Sequence, residues 1–249
     1  MNEVIETILS HRSVRKYQDK PLTDEQVHKI VESAQAASTS SYIQAYSIIG
    51  IKNQETKNRL AELAGNQSYV AQNGHLLLFC ADLHRHDVIA EMEGKDLSES
   101  LESTEKFMVA LIDAALAAQN ASIAAESMGL GICYIGGLRN QLHDVQELLK
   151  LPSRVLPLFG LTIGYPAADT DKKPRLPQAN VYHEEVYEQD HNKFIEELKA
   201  YNEQISSYYN ERTNGNRNDT WTGQMAHMLS NPTRMYMKEY VEKQGFNKK

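Results

Sequence analysis

The segment from Leu101 to Met128 constrains this chain more than any other. It is the longest periodic stretch and is rich in Ala, Leu and Met, with Leu111, Ala114, Ala115, Ala118, Ser122 and Ala125 on one small-residue face. That spacing predicts a long helix whose backbone another element can approach closely. The face serves equally as a core seam or as a dimer seam. Gly129 and Gly131 stop the helix, as glycines at a C-terminus do. Asp113, Gln119 and Asn120 interrupt the most apolar part, Met108 to Ala125, so no run reaches the ~18 apolar residues of a membrane span.

Shorter elements surround this helix. Asn2 to Ser10 has helical spacing. Thr23 precedes Asp24-Glu25-Gln26 and the apolar series Val27, Ile30, Val31, Ala34, which predicts a capped helix running to about Ala37. Ser38 to Ser41 breaks it. Tyr46 to Ile51, His75 to Ala81, Ile132 to Ile135 and Leu158 to Tyr165 read as short buried strands. Glu55 to Leu63 and Leu142 to Leu149 read as helices, and Asp169 to Pro177 as a loop. After Tyr182 the chain turns polar and tyrosine-rich, with helical spacing at Glu196 to Tyr209, Met225 to Leu229 and Met235 to Val241 and a basic turn at Arg212 to Asn218. This tail has too few apolar residues for a core of its own. Helices and strands mix without regular alternation, so the fold class is α+β rather than doubly wound α/β.

Composition excludes several functions. The 249 residues carry a formal net charge of -7, which argues against a nucleic-acid partner. Cys80 and Cys133 form no CxxC pair and sit in apolar surroundings, as thiols in a reducing compartment do. Glu3 and Glu6 stand where a secretory signal would be basic. The expectation is a cytoplasmic protein with no membrane partner. His84 and His86 share a face only on an extended segment, and no carboxylate or thiol cluster accompanies them, so no metal is expected. Gly129-Leu130-Gly131 lacks the third glycine of a dinucleotide fingerprint. No nucleophile elbow supports a hydrolase.

Two basic groups point to an anionic ligand. His11-Arg12-Ser13-Val14-Arg15 places two guanidinium groups, an imidazole and a hydroxyl in five residues, and Lys172-Lys173-Pro174-Arg175 lies far downstream. Between them, Tyr134-Ile135-Gly136-Gly137 is a turn whose adjacent glycines let backbone approach a flat ring. Arg forks match phosphate oxygens. Taken alone, such a pentapeptide is also what solvates or caps a helix end.

In their order these pieces resemble the flavin-dependent nitroreductase family, in its group of NADPH-preferring nitroreductases and flavin reductases. The resemblance covers almost the whole chain: HRSVRKY, Ser38 to Ser41, Gly65-Asn66-Gln67, AAESMGLG from Ala124, YIGGLRN from Tyr134, LPLFGLTIGYPA from Leu156, KPRLP from Lys173 and RTNGNRNDTW from Arg212. It implies a nitroreductase-like fold, with a mostly antiparallel central sheet flanked by helices, in an intertwined homodimer. Residues 1–249 would form one domain, with 182–249 an extension packed on the body and the partner subunit. It implies FMN as cofactor, contacted by His11, Arg12, Ser13, Arg15, Ser38, Thr39, Gln67, Tyr134, Ile135, Gly136, Gly137, Lys173 and Arg175. Ser41 and Tyr42 would face the substrate, and Arg212, Arg217 and Arg234 the NADPH phosphate.

The resemblance implies ping-pong hydride transfer from NADPH through FMN to small-molecule acceptors such as nitroaromatics, quinones, azo compounds, chromate or free flavin. No obligatory side-chain acid or base is then needed, because the cofactor carries the chemistry. The alternatives are a reductase that supplies free reduced flavin and a flavin-binding protein without catalysis.

Overall fold

The computed structural model describes residues 2–249. The described residues form two compact units, one of residues 2–170 with 236–249 and one of residues 171–235.

The first unit begins with α1 (Glu3–Leu9) and α2 (Asp24–Gln35). Thr23 and Gln26 close a reciprocal capping box on α2, worth about 1 kcal/mol. A 3-10 turn (Ser40–Tyr42) leads to β1 (Tyr46–Ile51), then α3 (Gln54–Leu63), α4 (Ser68–Ala71) and β2 (His75–Asp82). α5 (His84–Glu93) and α6 (Ser98–Leu101) precede α7 (Thr104–Ser127). β3 (Gly131–Ile135), a 3-10 turn (Gly136–Asn140), α8 (Leu142–Leu149) and β4 (Val155–Gly164) complete the body.

The strands form one antiparallel sheet in the order β1-β2-β4-β3. Central β2 is buried along its whole length, and its alternation feeds two cores. Leu76, Leu78 and Cys80 face Leu60, Leu63 and Val145 of α3 and α8. Leu77 and Phe79 face Ile30 of α2 and Ala117, Ala118, Ala121 of α7.

Several expectations change or resolve here. β1 is partly exposed rather than buried, because it is an edge strand paired with a neighbour on one side only. The long helix starts at Thr104, where the Ser103 hydroxyl accepts from Lys106 N–H; Leu101 belongs to the separate turn before it. Its small-residue face is core, since Ala114, Ala118, Ser122 and Ala125 are buried while Ala115 is exposed. Larger side chains, Met108, Ile112 and Leu116, stand exposed. α7 is also long and apolar enough to cross a membrane by length and composition, contrary to the sequence expectation, because its alanines and leucines outweigh Asp113, Gln119 and Asn120. In the fold it packs on α2 and β2.

The second unit holds a 3-10 turn (Gln178–Asn180), α9 (His191–Arg212) and α10 (Trp221–Leu229). It does build a small core: Tyr201, Ile205 and Tyr209 are buried, with Leu176, Tyr208 and Trp221 against them. Tyrosine rings supply the apolar area that aliphatic residues lack. The last helix, α11 (Met237–Lys243), belongs to the first unit, where Tyr240, Val241 and Phe246 are buried with Leu142 and Leu156.

Candidate functional site

The segment after α1 runs beside β3. Ser13 bridges Ile132 in parallel, and Val14 N–H donates to the Ile132 carbonyl at 2.8 Å. Val14 is buried against Gly131, where a Cβ would come within 2.6 Å of its methyl carbon. This anchor alternates the neighbouring polar side chains outward. His11 Nδ1 lies 2.7 Å from Glu126 of α7, and Arg12 lies 3.6 Å from the exposed Asp169 carboxylate. Arg12 and Glu126 line a cleft of about 130 Å³.

Arg15 reaches the other side of β3. Its guanidinium lies over the Tyr69 ring, 5.9 Å from the centroid. The Tyr69 hydroxyl donates to Gln67 Oε1, and Gln67 Nε2 donates to the Ala64 carbonyl at 2.6 Å. Gly137 packs against this turn so closely that a Cβ would fall 2.4 Å from the Ala64 oxygen and 2.5 Å from Gln67 Nε2. Arg15, Gln67 and Gly137 therefore meet through Tyr69, a residue the sequence reading missed although it stands two positions after Gln67. Burial pushes the Cys133 thiol up, and Arg15 and the Ser13 hydroxyl pull it part of the way back. Cys80 is likewise buried, and burial raises its thiol too. Both cysteines are poor nucleophiles in this state.

Tyr134 accepts from the buried Ser122 hydroxyl at 2.8 Å and packs edge-on to Phe159, which fixes the strand end before Ile135 and Gly136. Ser38, Thr39, Ser41 and Tyr42 form a second group on the loop after α2. Asp113 of α7 holds that loop, accepting from Ser40 N–H and Ala45 N–H at 3.0 Å each.

The remaining candidates lie in the second unit. Lys173 Nζ donates to the Tyr209 hydroxyl at 2.7 Å, and Arg217 lies over the same ring at 4.3 Å. Burial alone would raise the Tyr209 hydroxyl; the Lys173 contact outweighs it and leaves the pKa lowered. Arg175 donates to the Lys173 carbonyl at 3.1 Å. Arg212 stacks on Tyr208 and donates to its hydroxyl. Arg217 is also paired with Asp219 at 2.7 Å. Arg234 follows α10 with a left-handed backbone, φ 58°. Tyr209 thus joins Lys173 to the Arg212–Arg217 turn, which no sequence spacing announces.

His84 and His86 lie two apart on helical α5, so their side chains diverge; His86 Nε2 lies 3.0 Å from the Ile43 carbonyl. Among the described residues no three His, Cys, Asp or Glu side chains cluster as metal ligands. The donors around β3 are two guanidinium groups, a hydroxyl, an amide and a Gly-Gly backbone. That set fits a phosphorylated heteroaromatic cofactor: cations for phosphate, an amide for a polar ring edge, and backbone bare of Cβ for a flat face.

Known proteins are similar to this chain along almost its whole length. The nitroreductase family model matches residues 8–165, and the model of the nitroreductase family C-terminal domain matches residues 173–249. The chain is 57% identical over 248 residues to the FMN reductase (NADPH) of Bacillus subtilis, with 100% of both chains covered. Its fold is similar to the solved structure of NfrA1 from B. megaterium, with a TM-score of 0.98, 74% identity, and 99% and 100% of the two chains covered. It is also similar to the NADPH:FMN oxidoreductase of Vibrio harveyi solved with NAD+, with a TM-score of 0.89, 38% identity and 100% of each chain covered. With family models matching residues 8–165 and 173–249, the chain belongs to the nitroreductase family.

Proposed function

We propose that this chain is an NADPH-dependent FMN oxidoreductase acting on nitroaromatics, quinones or related small acceptors, free flavin among them. The observation that carries the reading is the linked set Arg15–Tyr69–Gln67–Gly137, beside the anchored His11-Arg12-Ser13 segment. Arg12, Ser13, Arg15 and Gln67 would hold FMN, with His11, Ser38, Thr39, Tyr134, Ile135, Gly136, Gly137, Lys173 and Arg175 completing its contacts. Bound FMN supplies a ring that takes hydride from NADPH and passes it to the acceptor. The chain's own task is to bind, orient and exclude water. A fixed cation beside the ring favours its reduced, anionic form, and Arg15 is held for that role by the Tyr69 ring. Arg212 and Arg217, with Arg234, suit the 2′-phosphate of NADPH, and Ser41 and Tyr42 the side where the substrates take turns.

The working form in this reading is a cytoplasmic homodimer. The cleft at Arg12, about 130 Å³, is well below the ~300 Å³ at which cofactor sites begin, so further walls are needed. Val4, Ile5, Ile8 and Leu9 of α1 and Met108, Ile112 and Leu116 of α7 are exposed apolar side chains on two helices that touch. A second copy covering them would bring those walls. In this reading residues 1–249 act as one domain, with 182–249 reaching the partner. Sedimentation tests this directly: a flavin-loaded, active monomer at assay concentration would refute a shared site.

The decisive functional assay is anaerobic titration of the purified protein with NADPH. A yellow protein that bleaches with NADPH and recovers with a nitroaromatic supports the reading. Colourless protein that takes up no FMN refutes it. A yellow protein that NADPH leaves unchanged would instead support flavin storage.

A further inference from the structure

Asp113 is fully buried in the alanine-rich face of α7, yet the proposed reaction gives it no role. Burying a carboxylate is costly unless charge-assisted bonds compensate. Both of its oxygens are engaged by backbone across a loop, Oδ1 by Ser40 N–H and Oδ2 by Ala45 N–H, each at 3.0 Å. The loop between those two amides is strained. Ser41, Tyr42 and Gln44 have φ of 49°, 59° and 53°, the left-handed region that non-glycine residues avoid. The chain places no glycine anywhere from Ser38 to Gly50 except at that last position, so the conformation is imposed from outside. Asp113 imposes it from α7. From α5, Arg85 donates to the Gln44 carbonyl at 3.2 Å and His86 Nε2 lies 3.0 Å from the Ile43 carbonyl. The outcome is that Tyr42, at the crest, is 82% exposed on a backbone pinned at both ends.

We propose that Asp113 is a positioning residue: it clamps loop 40–45 in its strained form and thereby holds the Tyr42 backbone where its exposed ring can meet the electron acceptor. The acceptor half rests on the functional reading above; the clamp does not. A loop backbone already ordered loses little entropy when a flat aromatic molecule stacks on the ring it carries, so the clamp acts on acceptor binding rather than on the chemical step. A leucine in place of Asp113 would complete the core but leave the half-buried Ser40 N–H and the buried Ala45 N–H without this acceptor and the loop free.

Hydrogen exchange on the unmodified, flavin-loaded protein tests the clamp without any variant. The amides of Ser40 and Ala45 should exchange far more slowly than that of Ser41; equal rates would overturn the clamp. Asp113→Asn keeps the shape but turns an NH2 group toward one of the two donors. It should speed exchange at Ser40 and Ala45 and raise KM for a nitroaromatic about tenfold, with kcat within about twofold. Tyr42→Ala should raise KM similarly, and the double variant should be no worse than Tyr42→Ala alone. Additive losses would overturn the link to Tyr42. Gln44→Gly, which relieves strain at its position, should restore part of the affinity lost in Asp113→Asn, whereas a merely structural role for Asp113 predicts no rescue. Failure of NADPH to bleach the unmodified protein would refute the functional reading and leave the exchange pattern standing as a separate result.

Discussion

Acidification should destabilise this protein in part through a buried side chain, His75. It is the first residue of β2, 4% exposed, and its Nε2 is buried without a hydrogen-bond partner among the described residues. Gly50 on the neighbouring strand makes room for the ring; a Cβ there would lie 3.1 Å from Nε2. Burial first, then the charges of Lys57 and Lys52, lower the His75 pKa from 6.5 to about 4, with Asp24 opposing them weakly. The folded state thus keeps the ring neutral where the unfolded chain would take a proton. Stability from this group is complete above pH 6.5 and drains as pH falls toward 4. The full loss is roughly 3 kcal/mol, of which about 2 kcal/mol is gone by pH 5. Urea midpoints of the wild-type protein and of His75→Gln, measured from pH 7 to 4.5 at constant ionic strength, isolate the effect, because the carboxylates other than Asp24, whose coupling to His75 is weak, titrate alike in both. The variant should lose about 2 kcal/mol less than wild type between pH 7 and pH 5. Parallel pH curves would refute a buried neutral histidine as an acid-sensitive element.

Other expectations concern the site. Gly137→Ala would press a methyl group into the Ala64 carbonyl and the Gln67 amide, a misfit of about 1–3 kcal/mol that should lower Tm and reduce flavin occupancy together. Arg12→Ala, Arg15→Ala and Lys173→Ala should each weaken FMN binding about tenfold to a hundredfold, read by fluorescence of released flavin, in protein that still folds. Arg212→Ala should raise KM for NADPH well above any change for NADH while flavin content stays constant; equal losses with both nucleotides would show that Arg212 does not read the 2′-phosphate. Tyr69→Phe keeps the ring beneath Arg15 but removes the hydroxyl from Gln67, so its flavin affinity should fall less than that of Tyr69→Ala.

The parts of the fold that periodicity controls were legible. Tyr46–Ile51 and Leu142–Leu149 have the expected bounds, and the cap at Thr23 forms as its neighbours require. Burial was harder to read, because Tyr46–Ile51 and His75–Asp82 are both short apolar runs; only pairing shows that the first lies at the sheet edge and the second in its centre. The α7 seam was ambiguous for a similar reason. Alanines mark close approach but do not name the partner, and the sheet and α2 already occupy that face. In the site, arginines and paired glycines stand out because few structural roles need them together. Tyr69 and Asp113 did not stand out. A single tyrosine is usually packing, and one aspartate in an apolar helix reads as an interruption until the amides of Ser40 and Ala45 are seen against it.

The tyrosines after Tyr182 raise a further physical point. Lys and Arg side chains carry roughly 2 kcal/mol of rotamer entropy, which opposes any fixed geometry for Lys173, Arg212 and Arg217. The second unit has three buried core residues in its cluster and little aliphatic surface with which to immobilise them. Rings do the immobilising instead. Tyr209 takes Lys173 on its hydroxyl and Arg217 on its face, while Tyr208 takes Arg212. An exposed cation–π contact contributes ~0.5–1 kcal/mol, and a hydrogen bond to the same ring's hydroxyl adds to it, so each pairing offsets a good part of the entropy cost. Tyr209 is itself held by burial in the small core beside Tyr201 and Ile205. The same residues therefore serve as core and as scaffold for the cations. That dual use explains why a segment with few aliphatic residues is rich in tyrosine, and why Tyr209→Phe, which keeps the core but frees Lys173, separates the two roles.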